Sequence, residues 1–82
     1  APPHMPLATI REAIAGSPGV LAVRHLHVWT LGAGHDAITA HVRTDSADPA
    51  FGQHLSARIR QRFGAEYVTV EVETTARGAE EP

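Results

Sequence analysis

A stretch of β-prone residues interrupted by two glycines constrains the fold of this chain most strongly. Residues 20–31 and 35–43 are rich in β-branched and aromatic side chains, and Gly32 and Gly34 lie in the three-residue connection between them. Glycine adopts positive φ at low cost, so such a connection is typical of a tight turn between antiparallel strands. The stretch therefore predicts a β-hairpin centred near Ala33. It carries four of the six histidines, namely His25, His27, His35 and His41.

An amphipathic segment precedes the hairpin and another follows it. Leu7, Ile10 and Ile14 recur at helical spacing, so we expect a first helix that starts with Pro6 and stops at Gly16. After the hairpin, apolar residues recur at steps of about four from residue 51 to residue 63. We expect this second helix to begin with Asp48 as N-cap and to end at Gly64.

Residues 66–74 alternate between valine and polar side chains, a pattern that predicts a third strand with one face toward the core. The order of elements is then α-β-β-α-β. We expect an α+β sandwich with two helices on one face of a three-stranded sheet. This is the ferredoxin-like plan without its first strand.

Composition excludes several classes of function. The chain has 82 residues, enough for one small domain, and a net charge of −2. Its seven basic residues are all arginines and form no continuous stripe, so we expect no nucleic-acid partner. No cysteine is present, which leaves metal binding to imidazole and carboxylate groups. No nucleophile has an evident base beside it, so we do not expect an enzyme.

The two ends of the chain are expected to lie outside the domain. Residues 1–5 look like a cloning remnant, so His4 is not a candidate site residue. Residues 6–75 are the predicted domain, and residues 76–82 are expected to form a frayed, acidic tail. No apolar run reaches the length of about 20 residues that a membrane-spanning helix needs.

Strand parity places the chemistry-bearing side chains together. Successive side chains of a strand point to opposite faces, and the valines of the third strand must face the core. The face without helices is then predicted to carry His25, His27, His35, His41, Glu71 and Glu73. A hairpin centred near Ala33 sets His25 across from His41, and cross-strand neighbours lie about 5 Å apart. Two imidazoles could therefore share one ion.

Two interpretations of this face stay open. It is either a polar surface exposed to solvent or covered by a second copy, or a divalent-metal site. Histidine with carboxylate ligands suits Zn²⁺, whereas calcium and magnesium prefer oxygen alone. Trp29 is predicted to lie in a dimer interface, where tryptophan is enriched. His54 and His35, the latter with Asp36, are possible outlying ligands.

Four short motifs resemble one family. They are residues 23–31 (VRHLHVWTL), 40–42 (AHV), 62–64 (RFG) and 68–73 (VTVEVE). Together they resemble the cytoplasmic C-terminal domain of cation diffusion facilitator transporters, over most of residues 7–73. The resemblance implies an α-β-β-α-β fold and V-shaped dimers that bound metal tightens. It also implies a six-helix membrane part that exchanges Zn²⁺ or related ions for protons.

The resemblance carries over to particular residues. His41, Glu71 and Glu73 match ligand positions in members of the family. Arg24 stands where many members have a metal-binding histidine, and Glu66 and Tyr67 stand where many have another. The resemblance therefore implies that His25 or His27 substitutes as ligand, or that the site has moved.

These observations lead to one expected function and one alternative. We expect a regulatory, dimerising domain on the cytoplasmic side of the membrane, belonging to a Zn²⁺/H⁺ antiporter. The expected partners are a second copy and the transporter's own transmembrane domain. The expected ion is Zn²⁺, or another divalent transition metal such as Cd²⁺, Co²⁺, Ni²⁺, Mn²⁺ or Fe²⁺. The alternative is a dimerisation scaffold that needs no metal.

Overall fold

Two helices and three strands make up the computed structural model, which describes residues 6–32 and 34–75. Their order is α1 (Leu7–Ala15), β1 (Val20–Thr30), β2 (Asp36–Thr44), α2 (Phe51–Phe63) and β3 (Tyr67–Thr74). Both helices contribute to a single core on one face of the sheet, so the expected fold class is confirmed. The predicted cloning remnant and acidic tail lie outside the described residues, and their assignment stays a prediction.

The helix boundaries differ from the expected ones at the N-terminal ends. Pro6 is the N-cap of α1 rather than its first helical residue, and its carbonyl accepts the Ile10 N–H at 3.1 Å. Helix α2 begins at Phe51, two residues later than expected, with Ala50 as N-cap. The Asp48 carboxylate accepts the Ala50 N–H at 2.9 Å and so closes a turn ahead of the helix. A side chain that bonds its own neighbouring backbone competes with helix capping in this way.

The sheet has the strand order β1-β2-β3, with β2 in the middle. Strand β3 pairs with β2 in parallel, in an unbroken register from Ala37 opposite Tyr67 to Thr44 opposite Thr74. The ferredoxin-like plan has one further strand between β2 and β3. That strand is missing here, and β2 and β3 pair directly with each other.

Strand β1 pairs with β2 in an antiparallel register that is interrupted. His27 opposes Thr39, as a turn centred near Ala33 requires, but the next pair is Arg24 opposite His41. The prediction that His25 opposes His41 was therefore wrong. Two residues, His25 and Leu26, occupy the interval opposite Ala40, and His25 takes a positive φ of 51°. This is a β-bulge.

The hydrophobic pattern of β1 explains the bulge. Without it, regular alternation would set Arg24 opposite the buried Val42 and leave Val23 on the face without helices. With it, Val23 opposes Val42 and packs against the core, while Arg24 takes the other face. One extra residue thus keeps a guanidinium out of the core.

Nine buried apolar residues form the core between the helices and the sheet: Ile10, Ile14, Leu26, Ile38, Ala40, Val42, Leu55, Ile59 and Ala65. Ala37 is also buried, but on the other face of the sheet. The main packing contacts set α1 on β1 and α2 on β3. Among the described residues, no helix is long and apolar enough to span a membrane.

The turn from α1 into β1 is anchored by a buried threonine. The Thr44 hydroxyl donates to the Gly19 carbonyl at 2.5 Å and accepts the Ser46 N–H at 3.0 Å. Gly19 has φ +88°, and the Phe51 ring lies against its Cα, so a Cβ there would sit 2.7 Å from the ring. A glycine is required at this position on both grounds.

Candidate metal-binding face

The side of the sheet that the helices leave bare, called the open face below, carries most of the predicted ligands. Four rows cross it from β1 through β2 to β3. In register they are Trp29, Ala37 and Tyr67; His27, Thr39 and Thr69; Arg24, His41 and Glu71; Ala22, Arg43 and Glu73.

Three of the five predicted metal ligands form one cluster. The rings of His25 and His41 stack, with centroids 5.8 Å apart and an angle of 21° between their planes. The His41 Nε2 lies 3.4 Å from the Glu73 Oε1. Regular alternation from His27 would also place His25 on this face; the bulge adds Arg24 opposite His41 and leaves His25 stacked against the His41 ring. His41 is the least exposed of the ion-pair partners, at 25% of its side chain, and Glu73 covers it from one side.

The other two predicted ligands stay apart from this cluster. His27 is exposed and lies one row away, opposite Thr39. Glu71 shares a row with His41, yet the His41 ring contacts Glu73 instead. Within the described part of the chain, neither the His27 nor the Glu71 side chain has a hydrogen-bond or ion-pair partner.

Two arginines flank the cluster. Arg24 is in register with His41 on one side, and Arg43 is in register with Glu73 on the other. Their positive charges oppose a bound cation, while Glu71 and Glu73 favour one. The local balance of charge is therefore close to neutral before any ion binds.

The two outlying histidines each contact one carboxylate away from the cluster. The His35 Nδ1 contacts the Glu66 Oε1 at the hairpin end of the sheet. Asp36, which the sequence suggested as the partner of His35, is buried and accepts the Thr30 hydroxyl at 2.9 Å. Glu66 therefore takes the place that sequence adjacency had suggested for Asp36.

His54 lies near the start of α2, and its Nδ1 is 2.7 Å from the Asp48 Oδ2. The Ala50 N–H and the His54 ring both stabilise the ionised carboxylate, which lowers the pKa of Asp48 from its usual value. The position of Asp48 just before α2 is a sequence signal for this contact. A carboxylate just ahead of a helix lies close to side chains in its first turn.

The donor types fit a transition metal, but their arrangement is incomplete. Among residues 6–32 and 34–75, no three histidine or acidic side chains converge on one point as metal ligands. Imidazole lone pairs lie in the plane of the ring, so two stacked rings cannot both aim at an ion between them. His41 and Glu73 are thus a two-donor pair, and His25 becomes a third donor only when its side chain turns.

An apolar patch occupies the hairpin end of the open face. Trp29 and Tyr67 are 42% and 52% exposed, and Leu31 nearby is 55% exposed. Ala37 lies between the two aromatic residues in the same row and is buried. Only Trp29 was predicted as an interface residue; Tyr67 joins it because odd-numbered side chains of β3 face away from the core.

Comparison with known proteins gives the family. A family model described as "Cation efflux protein, cytoplasmic domain" matches residues 2–75. The chain belongs to this family. The expected resemblance is confirmed, and so is the expected location on the cytoplasmic side, which the family description states. The family is that of a transport-protein domain rather than of an enzyme.

Individual relatives agree with this membership. The zinc transporter ttm-1 of Caenorhabditis elegans is 35% identical over 88% of this chain and 18% of its own length. A probable proton-coupled zinc antiporter of Bos taurus is 38% identical over 78% of this chain and 17% of its own length. The chain thus spans less than a fifth of these two relatives.

Solved structures share the fold. The metal-bound C-terminal domain of the CzcD transporter from Cupriavidus metallidurans superposes with a TM-score of 0.71 at 29% identity. The match covers 84% of this chain and 99% of that one. A C-terminal domain of MamM, 20% identical with a TM-score of 0.64, has the same fold.

Proposed function

We propose that this chain is the dimerising, regulatory cytoplasmic domain of a proton-coupled zinc efflux transporter, and that it binds a divalent metal on its open face. The observation that carries the proposal is the cluster of His25, His41 and Glu73 on an uncovered sheet face in a member of a cation efflux family. Relatives named as zinc transporter and zinc antiporter support zinc as the ion. The CzcD domain is described as metal-bound.

His41 and Glu73 are the residues proposed to hold the ion, because their donor atoms already face each other. His25 joins them after rotation of its side chain. His27 lies one row away from His41, and Glu71 lies opposite His41 on the next strand. We propose that these two residues are ligands to an ion shared with a second copy. When bound, a divalent ion supplies a positive charge that joins imidazole and carboxylate groups. Zn²⁺ is proposed, with Cd²⁺, Co²⁺, Ni²⁺, Mn²⁺ and Fe²⁺ as competitors for the same donors.

The open face is also the proposed dimer surface. The exposed Trp29 and Tyr67 offer the aromatic area that interfaces favour. The family's short name, ZT_dimer, refers to a dimer. Metal that binds the dimer better than the monomer shifts the population toward the dimer. At about 100 times the dissociation constant, such an ion stabilises the binding state by about 2.7 kcal/mol. We propose that the shift toward the dimer acts on the transmembrane domain of the same transporter.

Titration of the chain with Zn²⁺ tests the proposal, with heat measured by calorimetry and mass by sedimentation. We expect saturable heat and a larger dimer fraction with Zn²⁺ than with EDTA. The double variant His41→Ala/Glu73→Ala should lose both responses. His54→Ala is the matched control, because it removes an exposed histidine that also contacts a carboxylate, and it should keep both. An absence of heat with the unmodified chain would refute metal binding.

A dimerisation scaffold without metal is the second candidate, favoured by the lack of three convergent ligands in the described residues and by Arg24 beside His41. In that case the dimer fraction would be the same in Zn²⁺ and in EDTA. Trp29→Ala would reduce it equally in both.

A further inference from the structure

A groove runs along the outer side of α2, on the face of the molecule opposite the open face. It consists of two clefts of about 390 and 400 Å³. Both clefts are lined by Pro18, from the turn between α1 and β1, and by Arg58 from α2. The two clefts therefore adjoin at these two residues, and together they are called the groove.

The groove has apolar walls along its length. Phe63 lines the first cleft and Phe51 the second, and the buried core residues Ile14, Ile59 and Leu55 lie beneath them. The two phenylalanines are half-buried, so part of each ring is available to a ligand. Helix α2 has 13 residues, which corresponds to a length of about 20 Å at 1.5 Å per residue. A groove along it has the length of a short peptide rather than of a single small molecule.

The first cleft is strongly basic. Arg58 and Arg62 lie one helical turn apart, are exposed and line the same cleft. Within the described residues neither forms an ion pair; the Arg62 guanidinium lies 5.6 Å from the centroid of the Phe63 ring. Helix α2 contains no acidic residue, although the chain as a whole has a net charge of −2. Positive charge is therefore concentrated at the first cleft, although the chain as a whole is negatively charged.

Favourable interaction with the helix dipole explains Arg62 in part, because cations stabilise the last turn of a helix. It does not explain Arg58, which lies before that turn, nor the apolar cleft between the two guanidinium groups. The other end of the groove differs in charge. Asp48 and His54 line the second cleft and contact each other.

We propose that this groove binds a peptide segment in which apolar side chains alternate with carboxylates. The apolar side chains would fill the two clefts, and the carboxylates would take bidentate hydrogen bonds from Arg58 and Arg62. Guanidinium and carboxylate groups match in this geometry. The two half-buried rings, one in each cleft, lie beside guanidinium groups and favour a peptide, which carries both apolar and acidic side chains, over the headgroup of one anionic lipid. The site is separate from the open face and does not depend on metal.

Titration of the isotope-labelled chain with two peptides tests this assignment. One probe is a hexapeptide of alternating glutamate and leucine, and the other has lysine in place of glutamate. We expect the glutamate peptide to cause saturable amide shifts at residues lining the groove, such as Ala13 and Ile59. The lysine peptide should cause none. The double variant Arg58→Gln/Arg62→Gln should bind about tenfold more weakly or worse, since each lost charge-assisted bond is substantial.

Arg24→Gln/Arg43→Gln is the matched control, because it removes the same charge from the open face and should leave the affinity unchanged. Its spectrum and that of the groove variant should both stay those of a folded domain. Equal shifts with both peptides, or an unchanged affinity in the groove variant, would overturn the proposal. Sedimentation with phosphatidylserine vesicles forms the last arm. If the chain binds vesicles through Arg58 and Arg62 but not the glutamate peptide, the occupant is a membrane and the peptide assignment fails.

Discussion

The two strand pairs of the sheet differ in how regularly they are paired. Between β2 and β3 the parallel register runs for eight pairs without a break. Between β1 and β2 the antiparallel register is interrupted twice, once between Val20 and Ala22 and once between Arg24 and His27. The core-facing residues of β3 alternate strictly, at positions 68, 70 and 72. Those of β1 are Val20, Val23, Leu26 and Val28, at intervals of three, three and two.

The difference shows that the irregular pairing of β1 is tied to the placement of its charged side chain. A regular β1 would place Arg24 in the core, and the bulge prevents this. The same bulge puts Arg24 on the open face opposite His41, while His25, which a regular strand would also place on that face, stacks on His41. The irregular ladder thus sets which β1 side chains lie beside His41, while the regular ladder fixes the position of Glu73.

Ile38→Ala should have the largest effect, because Ile38 lies on β2 and is shared by both ladders. Its side chain is 1% exposed and packs in the central core. We expect a loss of about 3 kcal/mol in the free energy of unfolding, measured in urea, from lost burial and a residual cavity. Ile38→Val should cost about 1 kcal/mol. A loss under about 1 kcal/mol for alanine would mean that the two ladders do not share one core.

Gly19→Ala tests the point where the irregular ladder starts. Gly19 has φ +88°, and a Cβ would lie 2.7 Å from Phe51 Cε1. We expect destabilisation of roughly 2 kcal/mol, from unfavourable φ and displacement of the ring. Gly32→Ala is the control, since Gly32 also has positive φ but nothing within 4 Å. It should cost only about 1 kcal/mol, and an equal loss at both sites would argue against the Phe51 contact.

His25 and His27 allow the bulge itself to be tested. At His25, with φ +51°, valine should be less stable than glycine by about 1 to 2 kcal/mol, because a β-branched side chain is strained at positive φ. At His27, which pairs regularly on the same face, valine should be more stable than glycine by about 1 kcal/mol. Urea unfolding of the four variants measures both differences. The same order at both positions would show that β1 is regular.

Asp48→Asn should have the smallest effect, and only its dependence on pH is diagnostic. The pKa of Asp48 is lowered in the folded chain by the Ala50 N–H and by His54, so the unfolded chain takes up the proton first. The stability that Asp48 contributes is therefore present above its unfolded pKa and is lost as the pH falls through the folded one. Melting of the unmodified chain and the variant should differ at pH 7, and the difference should shrink as the pH falls below the unfolded pKa of about 3.9. A constant difference would contradict the assignment.

Sequence alone predicted the elements, the two-helix face and the family, because these depend on periodicity and on motifs that survive a local irregularity. It placed His25, His41 and Glu73 on one face, as the structure does. It failed at the pairing of His25 with His41, because parity counting cannot detect an inserted residue. It also could not anticipate Glu66 as the contact of His35, since that pair joins positions 31 residues apart. Ring orientation, which decides whether three donors converge, is set by packing and not by residue type.

The packing of the helices on the sheet has a mechanical consequence. Helix α1 rests on β1 and α2 rests on β3, so the two helices stand on opposite edges of a twisted sheet with β2 as the axis between them. A change in the angle between β1 and β3 about β2 would therefore also change the distance between the two helices. A ligand that bridges β1 and β3 across the open face would act on the helix spacing through the sheet alone.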